Sequence, residues 1–384
     1  MIDSTTRIAI VGAGLGGLTC ARVLRDRGIA VTVFDKDASP DARTQGGSLD
    51  MHADTGQIAL REAGLLDGFL ALCRPEGQAM RMLDRTGAVL RQVTPAPGET
   101  SCPEIDRGQL RGLLLDAVAP EVVRWGKTVR AVEPVGDGVH RLRFDDGETA
   151  DFDLVIGADG AWSKVRRLVS DAVPAYTGLT FVDVLLTDLD ADLDELVGDG
   201  AMAALDGFSG FFAHRLSGGV VDAHVVLPVD LDWHVEAGLD LADPAAVRDH
   251  LLAGFAEWDL RFLRFINETV EPYVNRPLYA LPVPHTWDHT PGVTLLGDAA
   301  HLMSPFGGHG ANLAMLDGAD LALALAGADS VGDAVKAYEA VMMPRGAEAG
   351  AEAVVDLAED GGAHEAPDFE AERRGYVERA AQRV

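Results

Sequence analysis

The chain has 384 residues, enough for one large or two fused domains with a sizeable buried core. Hydrophobic residues make up 47% and charged residues 24%, a globular rather than a disordered composition. The net charge of −29 repels phosphate backbones and anionic lipid surfaces, which argues against nucleic-acid and membrane-surface roles. Cys20, Cys73 and Cys102 are too sparse for a disulfide framework or a CxxC metal pattern, so a reducing compartment is expected. A polar stretch, Asp3-Ser4-Thr5-Thr6, leads straight into an apolar strand, without the pattern of a signal peptide. No apolar run reaches the roughly 20 residues of a membrane span. The expectation is a soluble, cytoplasmic protein without a metal site: HExxH is absent and the histidines are scattered.

Arg7–Val11 is a short apolar run ending at glycine, the pattern of a buried parallel strand. A helix over Leu15–Arg27 follows, with Gly28 as its C-terminal stop. Ala30–Asp35 reads as a second strand, closing a βαβ unit. Residues 36–53 carry little pattern, and a helix is expected over Gln57–Leu66. Met80–Val93 alternates around a Thr86-Gly87 turn, and Asp106–Val118 is helical. Strands fill 121–157, with Asp145-Asp146-Gly147 as a hairpin turn. Residues 179–230 alternate as a second sheet, interrupted by an acidic loop over Asp188–Glu195. Helices are expected at 244–258 and 259–270, and a buried strand at Gly292–Leu296. Long Ala-rich helices start near Ala311, and Pro344 should kink or break the second of them. The second sheet lies inside the chain, so two interleaved domains are expected rather than two in series.

The sharpest motif is Gly12-Ala13-Gly14-Leu15-Gly16-Gly17, a GxGxxG between a strand and a helix. Gly12 permits the tight turn, Gly14 lets a pyrophosphate approach the backbone, and Gly17 lets helix and strand pack closely. The helix N-terminus adds partial positive charge. Asp35, 18 residues past Gly17, stands where an acid accepts ribose hydroxyls, with Lys36 beside it. This fingerprint does not separate NAD from FAD. Two later strands run into acidic turns: Leu154–Gly157 into Ala158-Asp159-Gly160, with Ser163, Lys164, Arg166 and Arg167 behind, and Val293–Leu296 into Gly297-Asp298.

Taken together in this order, these segments resemble the FAD-dependent aromatic hydroxylases, the class A flavoprotein monooxygenases. Gly46–His52, Glu104–Arg111, Ser163–Arg166, Phe255–Asp259 and Gly297–Phe306 are similar to segments of the tetracycline-inactivating flavin monooxygenases. The resemblance covers about residues 7–345. It implies an α/β fold with a GR2-type FAD-binding Rossmann domain, a second, mostly antiparallel β-sheet substrate domain, and C-terminal helices. The expected boundaries are 1–75, 100–178 and 285–343 for the FAD domain, 76–99 and 179–284 for the substrate domain, and 344–384 for a C-terminal helical segment.

The resemblance also implies that Asp50, Arg107 and Asp298 bind FAD, that Asp159 lies near its pyrophosphate, and that Arg43 contacts NADPH. Pro305, Gly308, Gly310, Ala311 and Asn312 form a Gly-rich turn opening a helix, whose N–H groups would face the flavin pyrimidine edge. His309 stands where the family pattern has glutamine, and reads equally as a polar contact or as an exposed spacer. His301 is expected to support packing or the cofactor. His214, His224 and Phe212 in the second sheet, with Phe306, are candidate substrate contacts for a flat aromatic molecule. The arginine that the tetracycline enzymes direct at the drug would fall near Ala201 and is missing, which weakens tetracycline itself as substrate.

The implied activity uses FAD, NADPH (or NADH) and O2 to hydroxylate an aromatic or polyketide-like small molecule through a flavin C4a-hydroperoxide. No catalytic side chain is obligatory when the cofactor carries the chemistry. With one dinucleotide fingerprint, the reductant binds transiently. The protein is expected to be a monomer or a homodimer. Baeyer–Villiger oxidation and epoxidation on the same scaffold, and a non-catalytic FAD-fold binding protein, stay open as alternatives.

Overall fold

The computed structural model describes residues 5–43, 46–354 and 368–383. Its first sheet is wholly parallel, in the order Val293–Leu295, Leu154–Gly157, Ile8–Val11, Thr32–Phe34, Val123–Arg124. The three strands Ile8–Val11, Leu154–Gly157 and Val293–Leu295 are buried throughout, which is why their sequences run apolar without alternation. Helices Leu15–Asp26 and His309–Gly327 pack side by side against this sheet. A Cβ on Gly16 would meet the Ala314 carbonyl oxygen at 2.5 Å, and one on Gly318 would meet the Gly16 oxygen at 2.4 Å and the Cys20 nitrogen at 3.0 Å. Since Gly16 lies against Ala314 and Cys20 against Gly318, the two helices run in the same direction. Both N-termini therefore emerge at the carboxyl end of the parallel strands.

The second sheet has seven strands, ordered Val274–Ala280, Ala175–Leu186, Val221–Pro228, Ser209–Arg215, Ala201–Asp206, Met80–Leu83, Val89–Val93. Every pairing is antiparallel except that of Ala201–Asp206 with Met80–Leu83. Alternation gives it two unlike faces. One carries Val182, Val184, Met202, Phe211, Ala213, Ala223 and Val225, buried under Pro244–Gly254 and Leu260–Asn267 through Phe255, Phe262 and Phe265. The other carries Asp183, His214, Asp222 and His224, and turns toward Phe306 of the Gly-rich turn. A three-stranded antiparallel sheet, Val129–Gly136, Val139–Phe144 and Thr149–Phe152, includes the expected hairpin with Gly147 at φ +87°. Among the described residues, no helix is long and apolar enough to cross a membrane.

Several local expectations need correction. The acidic Asp188–Glu195 stretch contains a helix, Ala191–Val197, capped by the Asp190 carboxylate on the Leu193 N–H. Acidic residues at a helix N-terminus favour the dipole, and Leu193, Leu196 and Val197 supply an apolar stripe. The helix expected at 57–66 is two, Gly56–Glu62 and Leu66–Leu72, separated at Gly64 with φ +69°. Residues 36–53 contain the strand Ser48–Asp50, paired with Glu104–Asp106. Pro344 does not break its helix, which runs Val331–Glu352. Packing holds that helix on both sides of the proline, through Met342 and Gly346, and Arg345 is anchored to Asp317 and Asp320 at 2.8 and 2.7 Å.

The last described helix, Phe369–Gln382, ties distant parts of the chain together. Tyr376 stacks on His52 at 4.0 Å and Arg379 pairs with Asp54 at 2.6 Å. Arg373 donates to the Gln78 carbonyl, and Arg91 reaches Asp368 at 3.0 Å.

The contact between the two parallel helices sets a prediction. Gly318→Ala should cost about 1–3 kcal/mol, because backbone atoms on the facing helix have nowhere to go. Gly327→Ala, with open space around its Cβ, should be neutral or gain up to about 1 kcal/mol. Thermal unfolding of the two variants beside the parent checks both signs.

Candidate active site

The first strand ends on Gly12 at φ +111°, where a Cβ would meet the Ala158 carbonyl oxygen at 2.1 Å. Gly14 caps the Leu15–Asp26 helix, and a Cβ there would enter open space. A Cβ on Gly17 would meet the Gly12 oxygen at 2.2 Å. The three glycines thus have three separate geometries: a turn, an open approach and a close contact. Asp35 is buried, and its carboxylate accepts the Ala13 N–H at 2.6 Å and the Asp37 N–H at 2.8 Å. Lys36 is exposed, and Arg43 pairs with Asp37 at 2.8 Å.

Arg111, not singled out as a site residue by sequence reasoning, reaches the same loop. Its Nη1 donates to the Pro40 carbonyl at 2.7 Å and its Nε to the Ala13 carbonyl at 3.4 Å. Among the described residues, Nη2 is buried without a partner. Burial pushes this guanidinium below its ordinary range, with Asp35 opposing.

Arg107 opens the Arg107–Ala117 helix, its N–H bonded to the Gly47 carbonyl at 3.0 Å. Its side chain is accessible to solvent yet crowded by protein, which marks the wall of a cleft. Desolvation pulls its pKa down and Asp298 opposes; Arg276 and Arg43 add to the lowering. Asp298 follows Gly297, which stands at φ +58° and donates its N–H to Asp317 at 3.0 Å. Asp159, in contrast, is committed to its own loop: it accepts from Ser163 Oγ at 2.6 Å and from the Lys164 N–H at 2.6 Å. Arg166 is buried and grips the carbonyls of Ala161, Ala172, Asp298 and Ala299, so it joins the two acidic turns rather than offering a surface charge.

Pro305 begins the Gly-rich turn, with Gly307 and Gly308 at φ +98° and +68° and a Gly308 N–H to Pro305 O bond of 3.1 Å. Gly310 and Ala311 lie in the first turn of the following helix. Asn312 is fully buried: it donates to the Asp50 carbonyl at 2.7 Å and accepts the His52 N–H at 2.9 Å. Its side chain locks the Ser48–Asp50 strand to this helix and leaves only its backbone for a ligand. The Asp50 carboxylate lies where a Cβ on Gly308 would fall, at 2.8 Å, and bonds His52 at 2.9 Å. His309 is no exposed spacer. It sits 3.5 Å from Glu352 and edge-on to His52 at 5.6 Å, and burial, with His52, lowers its pKa.

Opposite this turn stands the polar face of the second sheet. Asp183, His224 and Phe212 are in register on three adjacent strands. His224 Nδ1 lies 2.9 Å from Asp183 and its ring stacks on Phe181 at 5.0 Å. Phe306 packs against Phe181 and Phe212 at 6.0 and 5.5 Å. His214, opposite Ala201, keeps a buried Nδ1 without a partner among the described residues, and burial lowers its pKa to about 4. No arginine stands at Ala201; the cation nearest His224 along the chain of contacts is Arg276, bonded to Asp183. His301 lies behind the site, buried, with Nε2 2.6 Å from Asp317, which also holds Arg345.

Two sets of elements thus converge: a nucleotide-type Gly-rich turn with two parallel helix N-termini, and an aromatic, imidazole-bearing sheet face. Residues 5–349 match the family described as FAD binding domain, and the chain belongs to that family. It is similar to monooxygenase asqM of Emericella nidulans, 32% identical over 373 residues covering 83% of this chain and 84% of that protein. It is also 30% identical to 3-amino-4-hydroxybenzoate 2-monooxygenase of Streptomyces cremeus over 365 residues, covering 91% and 86%. The solved structure of tetracycline destructase Tet(55) shares the fold, with a TM-score of 0.73 at 20% identity, covering 100% of this chain and 97% of that one. The protein is an FAD-dependent monooxygenase.

The buried His301–Asp317 pair predicts a pH signature. Burial alone would lower His301, but Asp317 outweighs it and the pKa rises; burial would raise Asp317, but His301 and Arg345 hold it low. The pair's contribution is therefore complete between about pH 4 and 6.5, the unfolded values. It fades in acid as Asp317 protonates at its depressed pKa, and in alkali as pH passes the raised pKa of His301. Melting temperature against pH should show this alkaline decline, and His301→Gln should flatten it. Asp317→Asn, which removes the carboxylate partner of His301 and leaves Arg345 with Asp320 alone, should cost about 3 kcal/mol at neutral pH.

Proposed function

We propose that the chain is an NAD(P)H- and FAD-dependent hydroxylase of aromatic or polyketide-like small molecules, using O2. The observation that carries this reading is the aromatic and imidazole-bearing sheet face, Phe181, Phe212, His214 and His224, set against Phe306 of the Gly-rich turn. The name of the Streptomyces cremeus relative, a hydroxybenzoate monooxygenase, supports an aromatic ring as substrate.

The residues present fit FAD. Open space at Gly14 and the unpartnered Nη2 of Arg111 suit a diphosphate beside the Leu15–Asp26 helix N-terminus. Asp35 is the ribose-binding acid of this reading, Lys36 flanks it, and Asp159 acts by shaping its loop. Arg107 and Asp298 line the same cleft, and the backbone of Gly308–Asn312 offers helix N-terminal N–H groups to an anionic ring edge. FAD, when bound, supplies the redox chemistry that activates O2. The protein's own part is to present the aromatic wall of Phe181, Phe212 and Phe306 to the substrate ring, to keep water off it, and to bond its polar edge through His214 and His224. Arg43, at the exposed end, is assigned to the reductant.

The test is NADPH oxidation by the FAD-loaded protein, with peroxide counted, using 3-amino-4-hydroxybenzoate and tetracycline as first probes. Faster oxidation with little peroxide and a product heavier by one oxygen atom is expected from a phenolic probe. Oxidation that no phenolic or polyketide probe accelerates, with all electrons recovered as peroxide, contradicts the reading. Arg111→Met and Arg107→Met should each weaken FAD retention by roughly tenfold or more, the worth of a charge-assisted hydrogen bond, as measured by FAD release on dilution.

A further inference from the structure

The polar face of the second sheet carries two carboxylates in unlike surroundings. Asp183 is fully engaged: its Oδ1 lies 2.9 Å from His224 Nδ1, and its Oδ2 accepts from Arg276 Nε at 2.8 Å and from Nη2 of the same guanidinium. Burial would push Asp183 up, but the hydrogen bonds from His224 and Arg276 hold it below its ordinary range. The charge of Arg276 is thereby taken up. Asp222 is half-buried, and among the described residues no hydrogen bond or ion pair reaches its carboxylate. Burial pushes it above its ordinary range, with Asp183 adding to the rise and His224 and Arg276 opposing it. Such a group lacks a counter-charge.

Strand pairing fixes where this carboxylate lies. Asp222 precedes His224 by two residues, so both project from the same face, about 7 Å apart along the strand. In register it stands opposite His214 on one neighbouring strand and Leu185 on the other. From the other side comes Gly47, where a Cβ would lie 3.6 Å from Asp222 Oδ2. Gly47 leads into the Ser48–Asp50 strand, whose Asp50 carboxylate lies against Gly308 of the Gly-rich turn. Asp50 is close enough to His214 to oppose the lowering of its pKa by burial. Asp222 therefore borders the same cleft as Phe181, Phe212 and Phe306, just beyond His224. The titratable and charged groups that face it are His214, His224, Asp183 and Arg276, and His214 is kept neutral by burial. With Asp183 and Arg276 cancelling, an ionised Asp222 leaves this face one negative charge in excess.

We propose that Asp222 is a specificity-determining residue that binds an amino group of the substrate, so that the cleft selects aromatic molecules carrying a basic nitrogen on a short side chain. The ammonium donates hydrogen bonds to the carboxylate and supplies its missing counter-charge. A methyl group at the same place gains neither, and a carboxylate there is repelled. This assignment rests on the reading of the face as the substrate site, and gives that reading a substrate class.

Three probes share a 4-alkylphenol frame and differ at the end of the chain. Tyramine ends in an ammonium, 4-propylphenol in a methyl group and 3-(4-hydroxyphenyl)propionate in a carboxylate. Calorimetric titration of the FAD-loaded protein at neutral pH should rank them in that order, with tyramine ahead of 4-propylphenol by roughly tenfold or more, the worth of a charge-assisted hydrogen bond. Asp222→Asn, which keeps size and shape, should erase that preference. Asp222→Glu reaches one methylene further, so it should keep a preference for amines and shift it toward 4-(aminomethyl)phenol, one methylene shorter than tyramine. FAD content and melting temperature matching the parent show that each variant is folded.

Equal affinity for tyramine and 4-propylphenol, tightest binding of the propionate, absence of binding by all three, or an unchanged preference in Asp222→Asn each overturns the proposal. If Asp222→Asn does not fold, the shift in chain length with Asp222→Glu decides, and its absence overturns the proposal. If the ranking fails while a phenol still stimulates coupled NADPH oxidation, the hydroxylase reading survives. If coupled oxidation is absent with every probe, that reading falls first.

Discussion

The close parallel approach of the Leu15–Asp26 and His309–Gly327 helices governs the rest of the molecule. Neither Gly16 nor Gly318 has room for a methyl group, because carbonyl oxygens of the partner helix stand within 2.5 Å of where it would lie. This contact aligns two helix N-termini, formed by residues almost 300 positions apart, at the same end of one parallel sheet. Two sets of free N–H groups, with the partial positive charge of two helix dipoles, then face one cleft. In a chain of net charge −29, arginines at 107, 111 and 276 gather along that cleft as well.

The second sheet solves a different problem. A seven-stranded sheet must bury one face, and helices Pro244–Gly254 and Leu260–Asn267 cover it with Phe255, Phe262 and Phe265. That rigid backing frees the other face to carry charge. Asp183, His224 and Arg276 hold their geometry because strand pairing, not a loop, sets it. The helix Phe369–Gln382 adds a clamp, with Tyr376 on His52, Arg379 on Asp54 and Arg373 on Gln78. The cleft is thus bounded by elements that the chain visits at its beginning, middle and end.

The parts legible in the sequence were those with local cause. Gly12, Gly14 and Gly17 each do a backbone job that no other residue type does as well, so their spacing identified the turn. The alternation of 179–230 announced a two-faced sheet. What stayed hidden depended on distant partners. Arg166 read as part of a basic cluster, but its four carbonyl partners include two beyond residue 297. Arg111 reaches a loop 98 residues away, and Asp183 meets a histidine 41 residues on. Asn312 read as a ligand contact, whereas its amide is taken by Asp50 and His52. The acidic stretch near 190 looked like a loop because its charges are strong and its three buried apolar residues are not conspicuous. Pro344 read as a kink or break because local sterics were weighed without the packing of Met342 and Gly346.

Under the proposed function, one cleft receives the flavin from the parallel sheet side and the substrate from the polar face of the second sheet. A crystal structure of the FAD-loaded protein tests this most directly. The expected result is the diphosphate at the open side of Gly14 within reach of Arg111 Nη2, and the flavin ring bounded by Arg107, Asp298 and the Pro305–Gly310 turn, facing Phe212 and His224. A flavin ring turned away from the second sheet, or a diphosphate bound elsewhere than the Gly12–Gly17 turn, would contradict it.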